Sequence, residues 1–290
     1  MMMYRLRPGW FRRHEGDHCV VFFDEDREIT VTGAVVDAVD SPRPGLFTAR
    51  TNGQARFLAE LRRRGALVPH DPCDATTDAS AAPQAEYFAA FCDDPQAAQQ
   101  ALERSRFIVL GLGGTGAEFL RLVAAAGVRR FVLVDADVVE ESNSNRQTIY
   151  QRSDIGLPKA EAAARYLEAR YATVETISLH TRVRGDQALR DMLVAHAPDL
   201  VFIAVDEPID TIVSELAAEL RALQVPFLVA GVGIRHGHVH AVSDAPAADT
   251  TLLPTRASIA TTNTMVAACA AHAAIEHVTS LHLPFDLKRP

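Results

Sequence analysis

The stretch FIVLGLGGTGAEF, from Phe107 to Phe119, decides the fold. At its centre stands the glycine loop Gly111-Leu112-Gly113-Gly114-Thr115-Gly116, which follows an apolar strand pattern and opens a helix pattern. In such a loop the first glycine permits a tight turn, the second lets the backbone approach a phosphate, and the last lets the helix pack on the strand. The N–H groups at the start of the helix then face an anion. The stretch therefore predicts a phosphate-binding turn.

The next predicted strand, RRFVLVDAD, adds a carboxylate to this turn. Asp135 lies nineteen positions after Gly116, a spacing that suits acceptance of hydrogen bonds from ribose hydroxyls. The loop and Asp135 predict a nucleotide but do not distinguish a nicotinamide dinucleotide from ATP.

Strands and helices alternate from Gln96 to about Leu283. Apolar runs of strand type (RFIVLGLG, RRFVLVDAD, DLVFIAVD and PFLVAGVG) are separated by runs of helix type (GAEFLRLVAAAG, KAEAAARYLEARY and SELAAELRALQ). The alternation predicts an α/β fold with a Rossmann-like, mostly parallel sheet and helices on both faces.

A polar cluster in DADVVEESNSNRQTIYQRSDIGLPKAEAA favours ATP over a dinucleotide. Two amides and two cations follow the strand that ends at Asp135: Asn143, Gln147, Arg146 and Lys159. They suit the charge of a triphosphate, because Arg grips phosphate bidentately and Lys acts as a point charge. Asp206 ends DLVFIAVD and is the candidate magnesium ligand, since Mg²⁺ takes one or two carboxylates together with phosphate oxygens. A nicotinamide-dependent oxidoreductase would leave this cluster unexplained.

In this order the motifs resemble the ubiquitin-activating-enzyme-like adenylyltransferases of the ThiF/MoeB/HesA type, over roughly Arg106 to Val278. The matching motifs are GLGGTG, Asp135-Ala136-Asp137, Ser142-Asn143-Ser144-Asn145-Arg146-Gln147, Asp154-Ile155-Gly156-Leu157-Pro158-Lys159 and Asp206. The resemblance implies that Asp135 holds the ribose, that Asn143, Arg146 and Lys159 hold the triphosphate, and that Asp206 holds Mg²⁺. It also implies an ATP-dependent adenylyltransferase, with Asp137 and Gln147 in the nucleotide site, that works as a homodimer.

The sequence departs from this family at three places. QAEYFAAFCDD lacks the arginine that usually precedes the first strand and reaches the partner's ATP site, with Arg104 and Arg106 as weak substitutes. Glu207 follows Asp206 where asparagine is usual. The zinc-binding CxxC pairs and the thioester cysteine are absent. Cys269, within an alanine-rich run, is interpreted as a buried helix cysteine, so we expect neither zinc nor thioester chemistry.

The N-terminal region, Tyr4–His70, predicts a small winged-helix-like α+β domain. Strands are expected at His18–Asp26 and Arg27–Gly33, and helices at Ala34–Asp40 and in QARFLAELRRRGALV, with Gly65 as helix C-cap. The order of elements resembles PqqD-like precursor-recognition domains of ribosomal peptide pathways. That implies a leader peptide adding as a strand between Arg27–Val31 and Gln54–Arg64. Four arginines could attract an acidic leader: Arg56, Arg62, Arg63 and Arg64.

Three parts are therefore expected: a leader-recognition domain at 1–70, a linker with an entry helix at 71–95, and an adenylation domain at 96–290. The function expected from these resemblances is ATP-dependent adenylation of the carboxylate or amide of a ribosomally made precursor peptide, guided by leader binding. The expected partners are that peptide and a second maturation enzyme. Two alternatives stay open: a non-catalytic protein that delivers the leader to a cyclodehydratase, and an adenylyltransferase for a sulfur-carrier protein.

The segment RHGHVHAV contains three alternating histidines: His236, His238 and His240. This pattern indicates an exposed strand face, a metal site or a contact with substrate.

Composition supports these expectations. The 290 residues are 48% hydrophobic and 23% charged, with a net charge of −8, which argues against a general nucleic-acid binder. Cys19, Cys73, Cys92 and Cys269 are scattered, as in proteins of a reducing cytoplasm. No apolar run is long enough to span a membrane, and the basic N-terminus has no apolar core of a signal peptide after it.

Overall fold

The structure is a computed structural model that describes residues 3–15, 19–32, 45–70, 82–208, 211–234, 236–240 and 258–285. The chain divides into two compact units, Met1–Gln99 and Gln100–Pro290. The helix predicted at Ala34–Asp40 lies outside the described residues. The functional assignment of the three predicted parts remains a prediction.

The first unit contains two three-stranded antiparallel sheets in its described part. Its elements are β1 (Met3–Leu6), β2 (Phe11–His14), β3 (Cys19–Phe23), β4 (Glu28–Thr32), β5 (Leu46–Thr48), α1 (Asn52–Arg63), β6 (Leu67–His70) and α2 (Ala82–Ala89). The strand orders are β5-β1-β6 and β2-β3-β4. The predicted pair of strands is confirmed as β3 and β4, but β1, β2, β5 and β6 were not predicted.

Helix α1 begins and ends as its sequence predicts. Thr51 forms a capping box with Gln54: the Thr51 hydroxyl accepts from the Gln54 N–H at 3.2 Å, and the Gln54 Oε1 accepts from the Thr51 N–H at 3.0 Å. Gly65, just past the helix, has a φ of 85°, the left-handed conformation that favours glycine at a helix C-terminus. Leu58 and Leu61 are buried against Trp10 and Phe22.

The second unit has a six-stranded sheet in the order β12-β11-β10-β7-β8-β9, which is parallel except for the β11–β12 pair. The helix that crosses the division between the units is α3 (Pro95–Arg104). The strands of the sheet are β7 (Arg106–Leu110), β8 (Arg130–Val134), β9 (Glu175–Leu179), β10 (Leu200–Ile203), β11 (Phe227–Val232) and β12 (Gly237–His240). The helices are α4 (Gly114–Ala125), α5 (Lys159–Arg170), α6 (Gln187–His196), α7 (Ile212–Ala222) and α8 (Ala260–Thr279).

Both faces of this sheet carry helices, as predicted. Ile108 and Leu110 of β7 pack in a core with Leu189 of α6 and Leu216 of α7. The alternate residue, Phe107, stacks with Phe119 of α4 at a ring separation of 6.3 Å. Because successive strand side chains point to opposite faces, β7 is apolar on both sides and is buried between the two helix layers.

The glycine loop lies where the sheet order reverses. β7 pairs with β8 on one side and with β10 on the other, so the chain turns in opposite directions from this central strand. In open α/β sheets, ligands bind in the crevice at the carboxyl ends of such strands. Gly111, Asp135 and Asp206 all follow these three strands at that edge.

Helix α8 corrects one prediction. Ala267, Ala270, Ala271 and Ala274 are buried, which fits the expected apolar helix. Cys269 is exposed, so the interpretation of a buried cysteine was wrong: only one face of α8 is covered, and Cys269 lies on the other. No helix in the described part of the chain is long and apolar enough to cross a membrane.

Candidate functional site

Two of the loop glycines are required by the packing of the loop itself. Gly111 has a φ of 90°, and a Cβ there would lie 2.5 Å from the carbonyl oxygen of Ala204. A Cβ on Gly116 would collide with the carbonyl oxygen of Gly111. Any side chain at either position would push the start of α4 away from the sheet.

Gly113 differs, because its missing side chain leaves open space. It is the N-cap of α4, no side chain caps the helix there, and the nearest atom to a Cβ at Gly113 is Nε2 of Gln147 at 4.0 Å. An uncapped helix N-terminus presents unpaired N–H groups and the positive end of the helix dipole. The open space beside these N–H groups suits an anion.

Gly114 is accounted for by packing instead. A Cβ there would lie 2.6 Å from Oδ1 of Asn263 in α8. That oxygen accepts a hydrogen bond from the Thr115 hydroxyl at 3.0 Å, and Asn263 is buried. The predicted nucleotide residue Gly114 therefore lets α4 and α8 approach each other.

Asp135 shapes the loop from the next strand. Its Oδ2 accepts from the Leu112 N–H at 2.6 Å and its Oδ1 from the Asp137 N–H at 2.8 Å. Burial raises the pKa of this carboxyl, while the Lys159 charge and the two N–H donors oppose the rise. Asp135 holds the loop backbone, and each of its oxygens keeps a further lone pair for a ribose hydroxyl.

Lys159 opens α5 and lies buried against the same edge. Its side chain is 8% exposed, and its Nζ forms an ion pair of 2.8 Å with Oδ2 of Asp137, whose side chain is 64% exposed. The Lys159 N–H also donates to the Asp137 carbonyl at 2.9 Å. Asp137 thus positions the ammonium group of Lys159 and neutralises its charge.

Asp206 follows β10 in the electrostatic neighbourhood of this pair. The pKa of its carboxyl is raised by burial first, then by the negative charges of Glu207 and Asp137, against the opposing charge of Lys159. Glu207 forms an ion pair with Arg182 at 3.2 Å. Among the residues that the structure describes, no group of three or more His, Cys, Asp or Glu side chains is placed to hold a metal. A magnesium ion at Asp206 would therefore need phosphate oxygens as its other ligands.

The SNSNRQ segment is held mostly by its own bonds. Asn143 is buried and its Oδ1 accepts from the Glu140 N–H at 3.0 Å, so its amide caps the short 3-10 turn Glu141–Asn143. Nη1 of Arg146 donates to the Ser142 carbonyl and to Oδ1 of Asn145, both at 2.9 Å. Gln147 is 3% exposed, and its Oε1 has no hydrogen-bond partner among the described residues. A buried acceptor without a partner is an expected feature of a ligand site, and this oxygen would take an N–H or O–H donor rather than a phosphate oxygen.

The ThiF family model matches residues 83–283, more than half of the chain. The chain belongs to the ThiF family. Its sequence is 42% identical over 102 residues to the SAMP-activating enzyme E1 of Haloferax volcanii, covering 32% of this chain and 38% of that protein. It is 35% identical over 137 residues to the molybdopterin-synthase adenylyltransferase of Escherichia coli K12, covering 47% of this chain and 53% of that protein. The chain thus spans about half or less of these relatives.

A solved structure resembles the chain over both units. E. coli MccB, solved with ATP, matches with a TM-score of 0.72 and 16% identity, covering 96% of this chain and 90% of MccB. At this identity the likeness shows the fold: a mixed α/β architecture with a Rossmann-like, mostly parallel sheet. The fold class expected from the sequence is confirmed.

Several residues around this ThiF-family site were not predicted. Tyr150 donates to the Leu112 carbonyl at 2.8 Å, and Thr148 donates to the buried carboxylate of Glu118. Arg182 follows β9, an edge strand in the described sheet whose mixed exposure gives no apolar run. Such partners come from distant parts of the chain, so the local sequence carries no signal for them.

The remaining candidates lie outside the loop cluster. His238 and His240 have ring centroids 5.0 Å apart on β12; burial and the neighbouring His240 lower the pKa of His238. His236 precedes the strand. Arg106 donates to the His196 carbonyl at 2.7 Å and Arg104 to Gln100. These contacts give neither arginine a role in the site.

The arginines proposed to attract a leader are mostly paired. Arg62 contacts Asp93 at 2.9 Å. Arg63 and Arg64 both contact Glu60, at 2.6 and 2.8 Å, and their hydrogen bonds lower the pKa of Glu60 to about 2. The net positive charge of this surface is therefore smaller than the sequence suggests. The similarity of the first unit to PqqD-like domains stays a prediction.

Proposed function

We propose that this ThiF-family chain is an ATP-dependent adenylyltransferase that activates a ribosomally made precursor peptide. One observation carries the proposal. The uncapped start of α4 with the open space at Gly113, the buried cation of Lys159 and the carboxyl of Asp206 all lie at the carboxyl ends of β7, β8 and β10. These groups are the ones that a nucleoside triphosphate needs.

The chain's own groups fit the parts of ATP. The N–H groups of the loop and Nε2 of Gln147 would donate to phosphate oxygens, and Asp135 would take the ribose hydroxyls. Lys159 and Arg146 would exchange their present partners for phosphate oxygens, because a phosphate carries more charge than the carboxylate or carbonyl it replaces. Asn143 would act chiefly by holding the turn that carries Arg146.

The chemistry needs few protein groups. A carboxylate oxygen of the peptide attacks the α-phosphorus, and the new P–O bond forms as the bond to pyrophosphate breaks. If an amide oxygen attacks instead, the amide nitrogen also loses a proton to water. The attacking carboxylate is already an anion, so no side-chain base is required. Lys159 and Arg146 neutralise charge on the phosphates, and the loop fixes the α-phosphate in line. Asp206 would hold Mg²⁺, which would supply positive charge to offset the negative charge that develops on the leaving pyrophosphate.

A peptide substrate is supported by the MccB likeness, which extends over the first unit as well as the second. The solved complexes of MccB contain ATP, AMPCPP or MccA, and MccB is a microcin C7 biosynthetic enzyme. In this chain, the leader would add along β4, which pairs only with β3 in the described part of the first unit. We also propose a homodimer in the cytoplasm.

A specific observation favours a second candidate, activation of a sulfur-carrier protein. Curated relatives of this chain include a sulfur carrier protein adenylyltransferase of Thermus thermophilus, 37% identical over 108 residues, and the molybdopterin-synthase adenylyltransferases. The third possibility, a protein that only delivers a leader, predicts no ATP chemistry. The loss of the family's usual arginine before the first strand favours that reading.

Calorimetry with ATP and Mg²⁺, followed by pyrophosphate release, tests the proposal. The protein should bind ATP in a magnesium-dependent way, and Lys159→Ala and Asp206→Ala should each weaken binding at least tenfold. Asp191→Ala, on the exposed face of α6, is the matched control and should bind like the wild type. Pyrophosphate release with precursor peptides but not with sulfur-carrier proteins supports the first candidate, and the reverse supports the second. If the wild-type protein binds a leader peptide but not ATP, only the third possibility, delivery of the leader without catalysis, remains.

A further inference from the structure

Leu112, the residue between Gly111 and Gly113, has both of its backbone groups held by side chains. Its N–H donates to Oδ2 of Asp135 at 2.6 Å, and its carbonyl accepts from the Tyr150 hydroxyl at 2.8 Å. The Leu112 side chain is itself fully buried. The peptide groups on both sides of this residue are therefore fixed before any ligand binds.

Tyr150 belongs to the segment that carries Arg146 and Gln147. A second bond fixes this segment to α4: the Thr148 hydroxyl donates to the carboxylate of Glu118. Glu118 is 1% exposed and also accepts from Arg121 at 2.8 Å. The segment is thus joined to the glycine loop through Tyr150 and to the helix after the loop through Thr148.

The Tyr150 hydroxyl is suited to permanent donation. Desolvation raises its pKa well above the ordinary value, and the negative charges of Asp135, Asp154 and Asp137 add to the rise. The phenol therefore keeps its proton at every pH at which the protein would work. A carbonyl oxygen that turned toward a phosphate would repel it, so a donor that occupies the Leu112 carbonyl has a functional consequence.

We propose that Tyr150 is a positioning residue that keeps the Leu112 carbonyl out of the phosphate site and joins the loop to the segment of Arg146. The proposal rests on the proposed function for its nucleotide part. A side chain that only filled the core would contribute through its ring, which phenylalanine retains. A positioning hydroxyl would instead affect the mobility of the loop and the affinity for phosphate.

Amide hydrogen exchange of the nucleotide-free protein tests the positioning part. Tyr150→Phe should speed exchange in the peptide spanning residues 111–116 about fivefold or more, because one hydrogen bond of ordinary strength is lost. Tyr171→Phe is the matched control, since its ring packs on the Arg129 guanidinium at 4.7 Å and lies outside the loop; it should leave this peptide unchanged. Thr148→Val, a second variant, should speed exchange in the same region through the bond to Glu118.

Calorimetry with ATP and Mg²⁺ tests the nucleotide part. Tyr150→Phe should raise the Kd for ATP about five- to tenfold at an unchanged binding stoichiometry, whereas Tyr171→Phe should not. Unchanged exchange in Tyr150→Phe would overturn the positioning role of Tyr150, whatever the result for Thr148→Val. Faster exchange with an unchanged Kd would overturn its link to phosphate. If the wild type binds no ATP, the proposed function fails and the nucleotide part with it, while the exchange experiment still decides whether Tyr150 holds the loop.

Discussion

Replacing Gly113 by alanine should weaken nucleotide binding and leave the fold intact. The new methyl group would meet no atom closer than Nε2 of Gln147 at 4.0 Å, and φ at this position is −72°, which alanine adopts freely. The methyl would instead occupy the space where a phosphate approaches the helix N–H groups. Losing one charge-assisted hydrogen bond costs about 1.5–3 kcal/mol, so the Kd for ATP should rise about ten- to a hundredfold. Alanine is also a poorer N-cap than glycine, by roughly 1 kcal/mol or less.

Gly111→Ala and Gly116→Ala are the contrasting variants, because their side chains would meet the backbone. At Gly111 a φ of 90° costs alanine about 1–2 kcal/mol, and the contact with the Ala204 carbonyl adds to this. Since 1 kcal/mol shifts the Tm of a domain of this size by roughly 2–4 °C, both variants should melt several degrees below Gly113→Ala. Calorimetric titration and thermal melts of the three proteins make the comparison. If Gly113→Ala binds ATP as tightly as the wild type, no phosphate lies at this helix N-terminus.

Two further predictions concern Asp206 and its neighbours. The pKa of Asp206 is raised in the folded protein, so the negative charge of Asp206 opposes folding at a pH above that pKa. Asp206→Asn should therefore raise the Tm of the nucleotide-free protein at neutral pH, and this gain in Tm should vanish as the pH falls below the ordinary carboxyl pKa of 3.8. A Tm difference that does not depend on pH would contradict this prediction. Arg182→Ala should leave Glu207 unpaired beside Asp206 and weaken binding of the anionic Mg–ATP complex several-fold. Glu207→Asn should have little effect on this affinity, and the double variant should regain the affinity that Arg182→Ala loses. Additive losses of affinity in calorimetric titration would refute the idea that Arg182 compensates the charge of Glu207.

The sheet and the loop could be predicted because their signals are local. Apolar runs of four to six residues end just before Gly111, Asp135 and Asp206, and a parallel sheet brings the carboxyl ends of such strands to one edge. The positions of these three residues therefore follow from the order of strands alone. β9 was missed because its residues alternate in exposure at the sheet edge, and β1, β5 and β6 because they are short and lie far apart in the chain.

The contacts within the site could not be predicted in the same way. The sequence places Asp135 and Lys159 near a nucleotide, yet it does not show that Asp135 holds the Leu112 N–H or that Lys159 pairs with Asp137. These bonds join groups separated by more than twenty positions, and each depends on the exact height at which two strands or helices end. Cys269 illustrates the same limit: an alanine-rich pattern predicts burial without showing which face of the helix is covered.

The hydrogen bonds and ion pairs that the groups of the candidate site form within the protein affect how a nucleotide would bind. The cations of the candidate site already have partners: Lys159 has Asp137, and Arg146 has the Ser142 carbonyl and Asn145. A phosphate must displace these partners, so part of the attraction of each cation is offset by the interaction it gives up. The N–H groups at the start of α4 have no side-chain cap and give up only bonds to water. Neutral donors of the loop should therefore contribute more to ground-state affinity than their charge suggests. The cations should stabilise the complex further when negative charge shifts to the leaving pyrophosphate, because their attraction to the phosphate oxygens is strongest at that point.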